Sequence, residues 1–150
     1  MIFIAHRGNI DGPNPEKENS LEYIDTALNL GVDAEIDLWL VDGQLALGHD
    51  APQYPIDLGW LEDRYLNLWI HCKNIAALEY MNQTWLFNYF WHENDTLTLT
   101  SRRDIWVYPG RQPVQDSIAV MPEIHDDDVS KCRGICSDFV LRYQTKIVKS

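Results

Sequence analysis

The chain has 150 residues, 45% hydrophobic and 11% aromatic, which suffices for one hydrophobic core but leaves little room for a second. We therefore expect a single domain over residues 1–150. The formal net charge of −11 argues against a nucleic-acid partner, because a phosphate backbone would be repelled. The same acidic balance suits binding of a divalent cation.

The cysteines and the first residues indicate a cytoplasmic protein. Cys72, Cys132 and Cys136 are odd in number and form no CxxC pair, so neither a disulfide framework nor a zinc knuckle is expected. The first apolar run is too short for a signal peptide or a membrane span, and no basic segment precedes it. We expect no stable membrane insertion, and the oligomeric state is left open.

Short apolar runs that end in polar or charged residues recur along the chain, a pattern typical of parallel β-strands. The predicted strands are 2–5, 32–38, 66–72, 86–91, 97–100, 105–108, 118–121 and 134–137. Eight such strands predict a closed α/β barrel of the (β/α)₈ TIM type.

Helices are predicted mainly in the first half of the chain. Asn19 or Ser20 is expected to cap a helix that ends at Gly31. A second helix is predicted after Asn74, and a short helical turn within residues 57–65. Beyond residue 95 the spacers are too short for helices. Because a complete barrel of this type needs at least about 200 residues, we predict a compact barrel with several outer helices shortened or missing.

Residues with acid, base or anion-binding chemistry follow the first two predicted strands. His6 and Arg7 end the first, Glu35 and Asp37 lie two apart in the second, and His49 follows shortly after. Because residues i and i+2 of a strand face the same side, the two carboxylates share one face. Histidines exchange protons near neutral pH, and arginine can hold an oxyanion bidentately. The set predicts metal-assisted cleavage of a phosphodiester.

Four short motifs follow one another in the first third of the chain: His6-Arg7-Gly8, Glu18-Asn19-Ser20, Glu35-Ile36-Asp37 and His49-Asp50. In order, spacing and strand context they resemble the glycerophosphodiester phosphodiesterase family. That family shares its barrel with phosphatidylinositol-specific phospholipases C and spider-venom-type phospholipases D. The resemblance is specific over residues 3–50 and looser over residues 86–140. It implies a TIM-type barrel with the site at the carboxyl ends of its strands.

The resemblance also implies catalytic roles. His6 and His49 match the family's acid/base pair, in which one histidine assists the nucleophile and the other protonates the leaving alkoxide. Lys73 matches the lysine after the family's third strand. We expect Arg7 to hold a nonbridging phosphate oxygen and Lys73 to add a positive charge, so both are predicted to bind substrate and to stabilise the transition state.

Glu35 and Asp37 match the family's metal ligands, for which Mg²⁺ or Ca²⁺ is expected first. The chain departs from the family at His71, where the family commonly has an acidic third ligand. Imidazole is a better ligand for Mn²⁺ or Zn²⁺ than for Mg²⁺ or Ca²⁺, so Mn²⁺ and Zn²⁺ are the alternative ions. Three alternatives follow: His71 ligates the ion, Glu18 or Glu123 compensates for the missing carboxylate, or metal binding is weaker and His71 is simply hydrogen-bonded at the strand end.

Two further polar sites have structural as well as functional interpretations. Glu18 and Asn19 are interpreted mainly as a helix cap, with a secondary role in orienting Arg7 or His6. His92, after the fourth predicted strand, is predicted either to bind substrate at the rim of the site or to lie on the surface of the chain with Glu93.

We therefore expect a metal-dependent hydrolase in lipid metabolism whose partner is a small phosphodiester, such as a glycerophosphodiester. A variant of the reaction uses a neighbouring substrate hydroxyl as nucleophile and forms a cyclic phosphate. Two alternatives stay open. The first is a barrel that binds phosphate or metal with weakened catalysis, and the second is a related metal hydrolase with another substrate.

Overall fold

The computed structural model describes the backbone of residues 1–148 and the side chains of residues 1–146. The strands in this part of the chain are β1 (Ile2–His6), β2 (Asp33–Val41), β3 (Gln44–Leu47), β4 (Tyr54–Ile56), β5 (Leu68–Cys72), β6 (Asn88–Phe90), β7 (Leu97–Leu99), β8 (Ile105–Val107), β9 (Ser117–Val120) and β10 (Gly134–Ser137). The α-helices are α1 (Leu21–Asn29), α2 (Leu58–Glu62), α3 (Ile75–Met81) and α4 (Val140–Val148), and a 3₁₀ helix spans Pro122–Ile124.

A parallel sheet of seven strands forms the centre of the described structure, in the order β6-β5-β2-β1-β10-β9-β8. β7 runs antiparallel to β8 at one end, so the prediction that residues 97–100 form a parallel strand is wrong. β2 extends beyond the parallel sheet and pairs with β3, which in turn pairs with β4, both antiparallel. This extension carries the chain over the carboxyl end of the sheet.

The sheet curls so that strands from both of its ends contribute to one interior cluster. Trp69 on β5, Phe90 on β6 and Trp106 on β8 meet there, with ring centroids 5.7 Å apart for Trp69 and Trp106 and 4.8 Å apart for Phe90 and Trp106. Between β6 and β7, the Ser101 N–H donates to the Tyr89 carbonyl at 2.7 Å, and no strand ladder joins these two strands in the described residues. The fold is a mixed α/β partial barrel, and the predicted full closure is not found.

The few helices of the described residues agree with the predicted loss of outer helices. α1, α2 and α3 are where the sequence predicts them, and between β7 and β10 the described chain forms only the short 3₁₀ helix. α4 was not predicted. No helix within residues 1–148 is long and apolar enough to cross a membrane.

The hairpin of β2 and β3 was missed although its turn has a clear signal. Asp42 and Gly43 both have positive φ, 51° and 77°, which the mirror-image turns of two-residue hairpins require. Asp-Gly between apolar runs is among the strongest sequence signals for such a hairpin.

Alternation along β2 separates the core from the site. Its even-numbered residues, Ala34, Ile36 and Leu38, are fully buried against the helical layer. Since successive side chains of a strand point to opposite faces, Glu35 and Asp37 lie on the inner face of the curled sheet. Both carboxylates are buried there.

Trp106→Ala is expected to lower the free energy of unfolding by about 3–5 kcal/mol, because it leaves a cavity among the stacked interior rings. Urea unfolding followed by circular dichroism measures the change. Trp85→Ala is the matched control, since the Trp85 side chain is fully exposed and its loss should leave stability unchanged. Equal losses in the two variants would contradict the interior packing described here.

Candidate active site

A cavity of about 440 Å³ opens at the carboxyl ends of the parallel strands. Seven of the eight predicted site residues line it: His6, Arg7, Glu35, His49, His71, Lys73 and His92. The eighth, Asp37, lies behind this wall with no exposed surface. The structure therefore brings together side chains from five separate segments of the sequence, at the end of the barrel where such folds carry their sites.

A second cavity, of about 610 Å³, adjoins the first. Both are lined by His6, Arg7, His49 and Met121, which therefore lie between them. A molecule with two substituents on a central group could place the central group against these four side chains and extend into both cavities.

Asp37 contacts four donors. Its Oδ2 accepts a hydrogen bond from Asn19 Nδ2 at 2.9 Å and lies 3.1 Å from Arg7 Nε. Its Oδ1 lies 3.1 Å from His71 Nδ1 and 3.5 Å from Lys73 Nζ. Burial alone would raise the Asp37 pKa, but the His71 hydrogen bond and the charges of Arg7 and Lys73 hold the pKa well below its ordinary value. Asp37 is therefore a buried, fully charged anchor.

Asn19 supports this anchor and is not a helix cap, so the capping interpretation is wrong. Its Oδ1 accepts the backbone N–H of Asp37 at 2.9 Å, in addition to the bond that its Nδ2 donates to the same residue. The N-cap position of α1 is Ser20, whose side chain makes no capping hydrogen bond. Burying the Asp37 carboxylate requires polar partners, and Asn19 supplies one of them while its other bond holds the Asp37 backbone.

Glu18 and Glu123 are engaged elsewhere, so neither joins Glu35 and Asp37. Glu18 accepts hydrogen bonds from Arg7 Nη1 at 3.2 Å and from Asn9 Nδ2 at 2.9 Å, which agrees with the predicted secondary role in orienting Arg7. Glu123 accepts from the Ser137 hydroxyl at 2.9 Å and from the Asp138 backbone N–H at 3.2 Å, at the end of β10.

His6 is held by a carboxylate that the sequence analysis did not single out. Its Nδ1 hydrogen-bonds Asp138 Oδ1 at 2.7 Å, and Asn9 Nδ2 donates to the same oxygen at 2.8 Å. Asp138 directly follows β10, as His6 ends β1, and these two strands are paired. The sequence does carry a signal for Asp138, because it is an acidic residue directly after a predicted strand.

His49 follows β3 and is positioned by the residue before it. The Gly48 N–H donates to the Asp37 carbonyl at 3.1 Å, and the Gly48 carbonyl accepts from Trp39 Nε1 at 2.6 Å. Gly48 has φ 154°, and a Cβ there would collide with the Ala51 carbonyl. The backbone before His49 is thus fixed to β2, while the His49 ring is partly exposed.

The two histidines have pKa values shifted in opposite directions. Burial lowers the His6 pKa, but the hydrogen bond to the Asp138 carboxylate and the charge of Glu35 outweigh burial and raise the pKa above its usual value. For His49, burial and the positive charge of Arg7 lower the pKa. Compared with an ordinary histidine, His6 is shifted towards its protonated form and His49 towards its neutral form.

Glu35, Asp37 and His71 form a cluster with the composition of a metal site. One potential ligand atom from each lies within 4.8 Å of the others. Within the described chain the buried Glu35 side chain accepts one hydrogen bond, from the Arg7 backbone N–H at 3.2 Å. Burial and the charge of Asp37 raise the Glu35 pKa, and the positive groups nearby do not offset these two effects. These residues fit a divalent cation.

His92 and Tyr108 form an uncharged wall of the first cavity. Their rings stack with centroids 3.9 Å apart, and the His92 ring centroid lies 5.2 Å from that of His71. Burial and the charge of His71 lower the His92 pKa to about 4. His92 Nδ1 and the Tyr108 hydroxyl are buried without a hydrogen-bond partner in the described structure. Tyr108 was not predicted, since it is one aromatic residue among many in the sequence.

Comparison with known proteins supports the fold. No protein-family model matches the chain, and no curated protein matches its sequence. Among solved structures, the chain is similar to a glycerophosphodiester phosphodiesterase from Parabacteroides distasonis, with a TM-score of 0.55 and 10% sequence identity. The match covers 99% of this chain and 97% of that chain. At this level of identity the likeness shows a shared fold, and function must be argued from the site.

Asn19→Gly is expected to lower the free energy of unfolding by about 1–3 kcal/mol, because Asp37 loses two hydrogen bonds in a buried position. Glycine suits the φ of 63° at this position, so backbone strain does not add to the loss. Urea unfolding measures the change. Ser20→Ala serves as the control and should leave the free energy of unfolding nearly unchanged. If the Ser20 side chain capped the helix, Ser20→Ala would instead be the more destabilising of the two substitutions.

Asp138→Asn is expected to lower the pKa of His6 below its ordinary value. The carboxylate stabilises the imidazolium form, and without it burial, which favours the neutral ring, becomes dominant. An NMR titration of the histidine ring protons measures the pKa. Asp50→Asn is the matched control, because it removes a carboxylate that lies 2.7 Å from Nδ1 of the other histidine, His49. The His6 pKa should stay unchanged in this variant. An unchanged or raised His6 pKa in Asp138→Asn would contradict the assigned cause.

Proposed function

We propose that this protein is a divalent-metal-dependent phosphodiesterase that hydrolyses a small phosphodiester, with a glycerophosphodiester as the first candidate substrate. The observation that carries the proposal is the pair His6 and His49. Their pKa values are shifted in opposite directions, and both rings lie beside Arg7 between two adjoining cavities. An acid and a base on either side of an anion-binding group suit cleavage of a phosphate ester.

Arg7 and Lys73 would bind the phosphate group. Both line the first cavity, and both are held by Asp37, which fixes their positive charges in place. Charges fixed before the reaction stabilise the additional negative charge of the transition state without reorganisation. The guanidinium group of Arg7 also offers paired donors to two phosphate oxygens.

His49 and His6 would move the protons. Neutral His49 takes a proton from water as the water oxygen forms a bond to phosphorus. Protonated His6 donates its proton to the leaving oxygen as the phosphorus–oxygen ester bond breaks. The products are an alcohol and a phosphomonoester. If a neighbouring substrate hydroxyl replaces water, the same two residues act and a cyclic phosphate forms first.

Glu35, Asp37 and His71 would hold the divalent ion. When bound, the ion supplies positive charge that neutralises charge developing on the phosphate oxygens. The two carboxylates favour Mg²⁺ or Ca²⁺, whereas the imidazole favours Mn²⁺ or Zn²⁺.

The two cavities would receive the two ester substituents. The first has an aromatic wall that includes Phe90, Trp106 and Tyr108, and His92 would contact a substituent there. The second is lined by Pro13, Pro15 and Gln53, among others. The structural neighbour's name, a glycerophosphodiester phosphodiesterase, supports glycerophosphodiesters as the class to test first.

A phosphate-binding barrel with weakened catalysis is the second candidate. It is favoured by Asp37, whose two oxygens already contact four donors and are less available to a metal ion. Binding alone, however, requires only Arg7 and Lys73 and gives no reason for two histidines with oppositely shifted pKa values.

His6→Ala and His49→Ala are each expected to lower kcat by roughly 10²–10⁴-fold, because each removes one proton transfer from the transition state. Chelator-treated protein is assayed with bis(p-nitrophenyl) phosphate and glycerophosphocholine, adding Mg²⁺, Ca²⁺, Mn²⁺ and Zn²⁺ one at a time. Glu35→Ala should chiefly raise the metal concentration required for half-maximal rate. His125→Ala is the matched control, since its side chain is exposed and lines neither cavity.

Wild-type rates in either histidine variant would overturn the acid/base assignment. A folded protein that binds inorganic phosphate but turns over neither diester with any ion would favour the phosphate-binding barrel. Activity on p-nitrophenyl phosphate alone would indicate a different metal hydrolase.

A further inference from the structure

The donor set of the metal cluster differs from one made of carboxylates alone. Glu35 contributes a buried carboxylate with one hydrogen bond in the described chain. β2 and β5 are paired in parallel, and their register places His71 opposite Asp37. The cluster therefore contains one nitrogen ligand and two oxygen ligands.

Asp37 contributes less negative charge to this cluster than its carboxylate suggests. Both of its oxygens contact donors, and two of these donors, Arg7 and Lys73, are cations. An entering metal ion must share Asp37 with them. Mg²⁺ and Ca²⁺ depend on anionic and carbonyl oxygens for affinity, so this sharing weakens binding of those ions most.

His71 has one ring nitrogen engaged with Asp37 and a second that remains for an ion. Its Nδ1 is engaged with Asp37 Oδ1 at 3.1 Å, which leaves Nε2 as the ligand atom. The ring is stacked on Phe90 with centroids 5.1 Å apart and planes 6° apart, so its orientation is fixed by packing. A carboxylate bonded to the far nitrogen of a metal-binding histidine fixes the tautomer and increases the basicity of the ligand.

We propose that His71 makes this site selective for ions that accept imidazole nitrogen, Mn²⁺ and Zn²⁺, against Mg²⁺ and Ca²⁺. The inference rests on the proposed function for the role of the ion, and it goes further by assigning ion choice to one residue. His71 Nε2 is the nitrogen ligand, and Asp37, which the ion shares with Arg7 and Lys73, also orients the imidazole.

Affinity ratios test the proposal, because most protein sites bind Zn²⁺ more tightly than Mg²⁺ and the order alone does not discriminate. Calorimetric titration of metal-free protein gives dissociation constants for Zn²⁺, Mn²⁺, Mg²⁺ and Ca²⁺. His71→Glu should lower the ratio of Zn²⁺ to Mg²⁺ affinity by about tenfold or more. His92→Gln is the matched control, since His92 lies on the same wall outside the cluster, and its ratio should stay at the wild-type value.

A second measurement needs no variant. In ¹⁵N-labelled wild-type protein, the histidine ring nitrogens are observed by NMR during titration with Zn²⁺. The Nε2 resonance of His71 should shift strongly, while Nδ1 keeps its proton. An unshifted His71 ring at saturating Zn²⁺, an unchanged affinity ratio in His71→Glu, or no metal binding would overturn the proposal.

The two proposals fail separately. If Zn²⁺ shifts the His71 ring but neither diester is hydrolysed, the proposed function fails and the ion selectivity stands. If hydrolysis is fastest with Mg²⁺ and His71 is unaffected by metal, the function stands and the selectivity is overturned.

Discussion

The buried charge of Asp37 is the constraint on which the rest of the site depends. An isolated carboxylate inside a protein is strongly unfavourable, so it must be surrounded by donors. Here the donors are Arg7 directly after β1, Asn19 before α1, His71 on β5 and Lys73 directly after β5. Meeting the requirements of one carboxylate therefore positions the cations and the imidazole that the proposed chemistry uses.

Much of this arrangement could be predicted because it follows from strand periodicity. Glu35 and Asp37 share a face since they are two residues apart, and the carboxyl ends of parallel strands lie at one end of a sheet. His6, Arg7 and Lys73 follow strands that were recognised from their apolar runs, so the structure brings them to one cavity. The short spacers in the last third of the chain likewise indicated that outer helices were absent.

The remaining features depend on partners that are distant in sequence. Asn19 looked like a helix cap because the local pattern is the same, and only the position of β2 gives its side chain a buried partner. Asp138 gained its role from the pairing of β10 with β1, 132 residues away. The prediction that β7 is parallel was wrong because apolar content does not encode strand direction. The Asp42-Gly43 hairpin, by contrast, was local and could have been found.

The pairing of β1 with β10 has a consequence for the order of assembly. β1 lies beside β10, so this central ladder closes a loop that runs from residue 2 to residue 134. Contacts of this sequence separation form late, because the entropy of closing the loop must be overcome first. During synthesis on the ribosome, His6 remains without Asp138 until the last strand has emerged. A nascent chain therefore acquires the complete site only after β10 has emerged and joined the sheet.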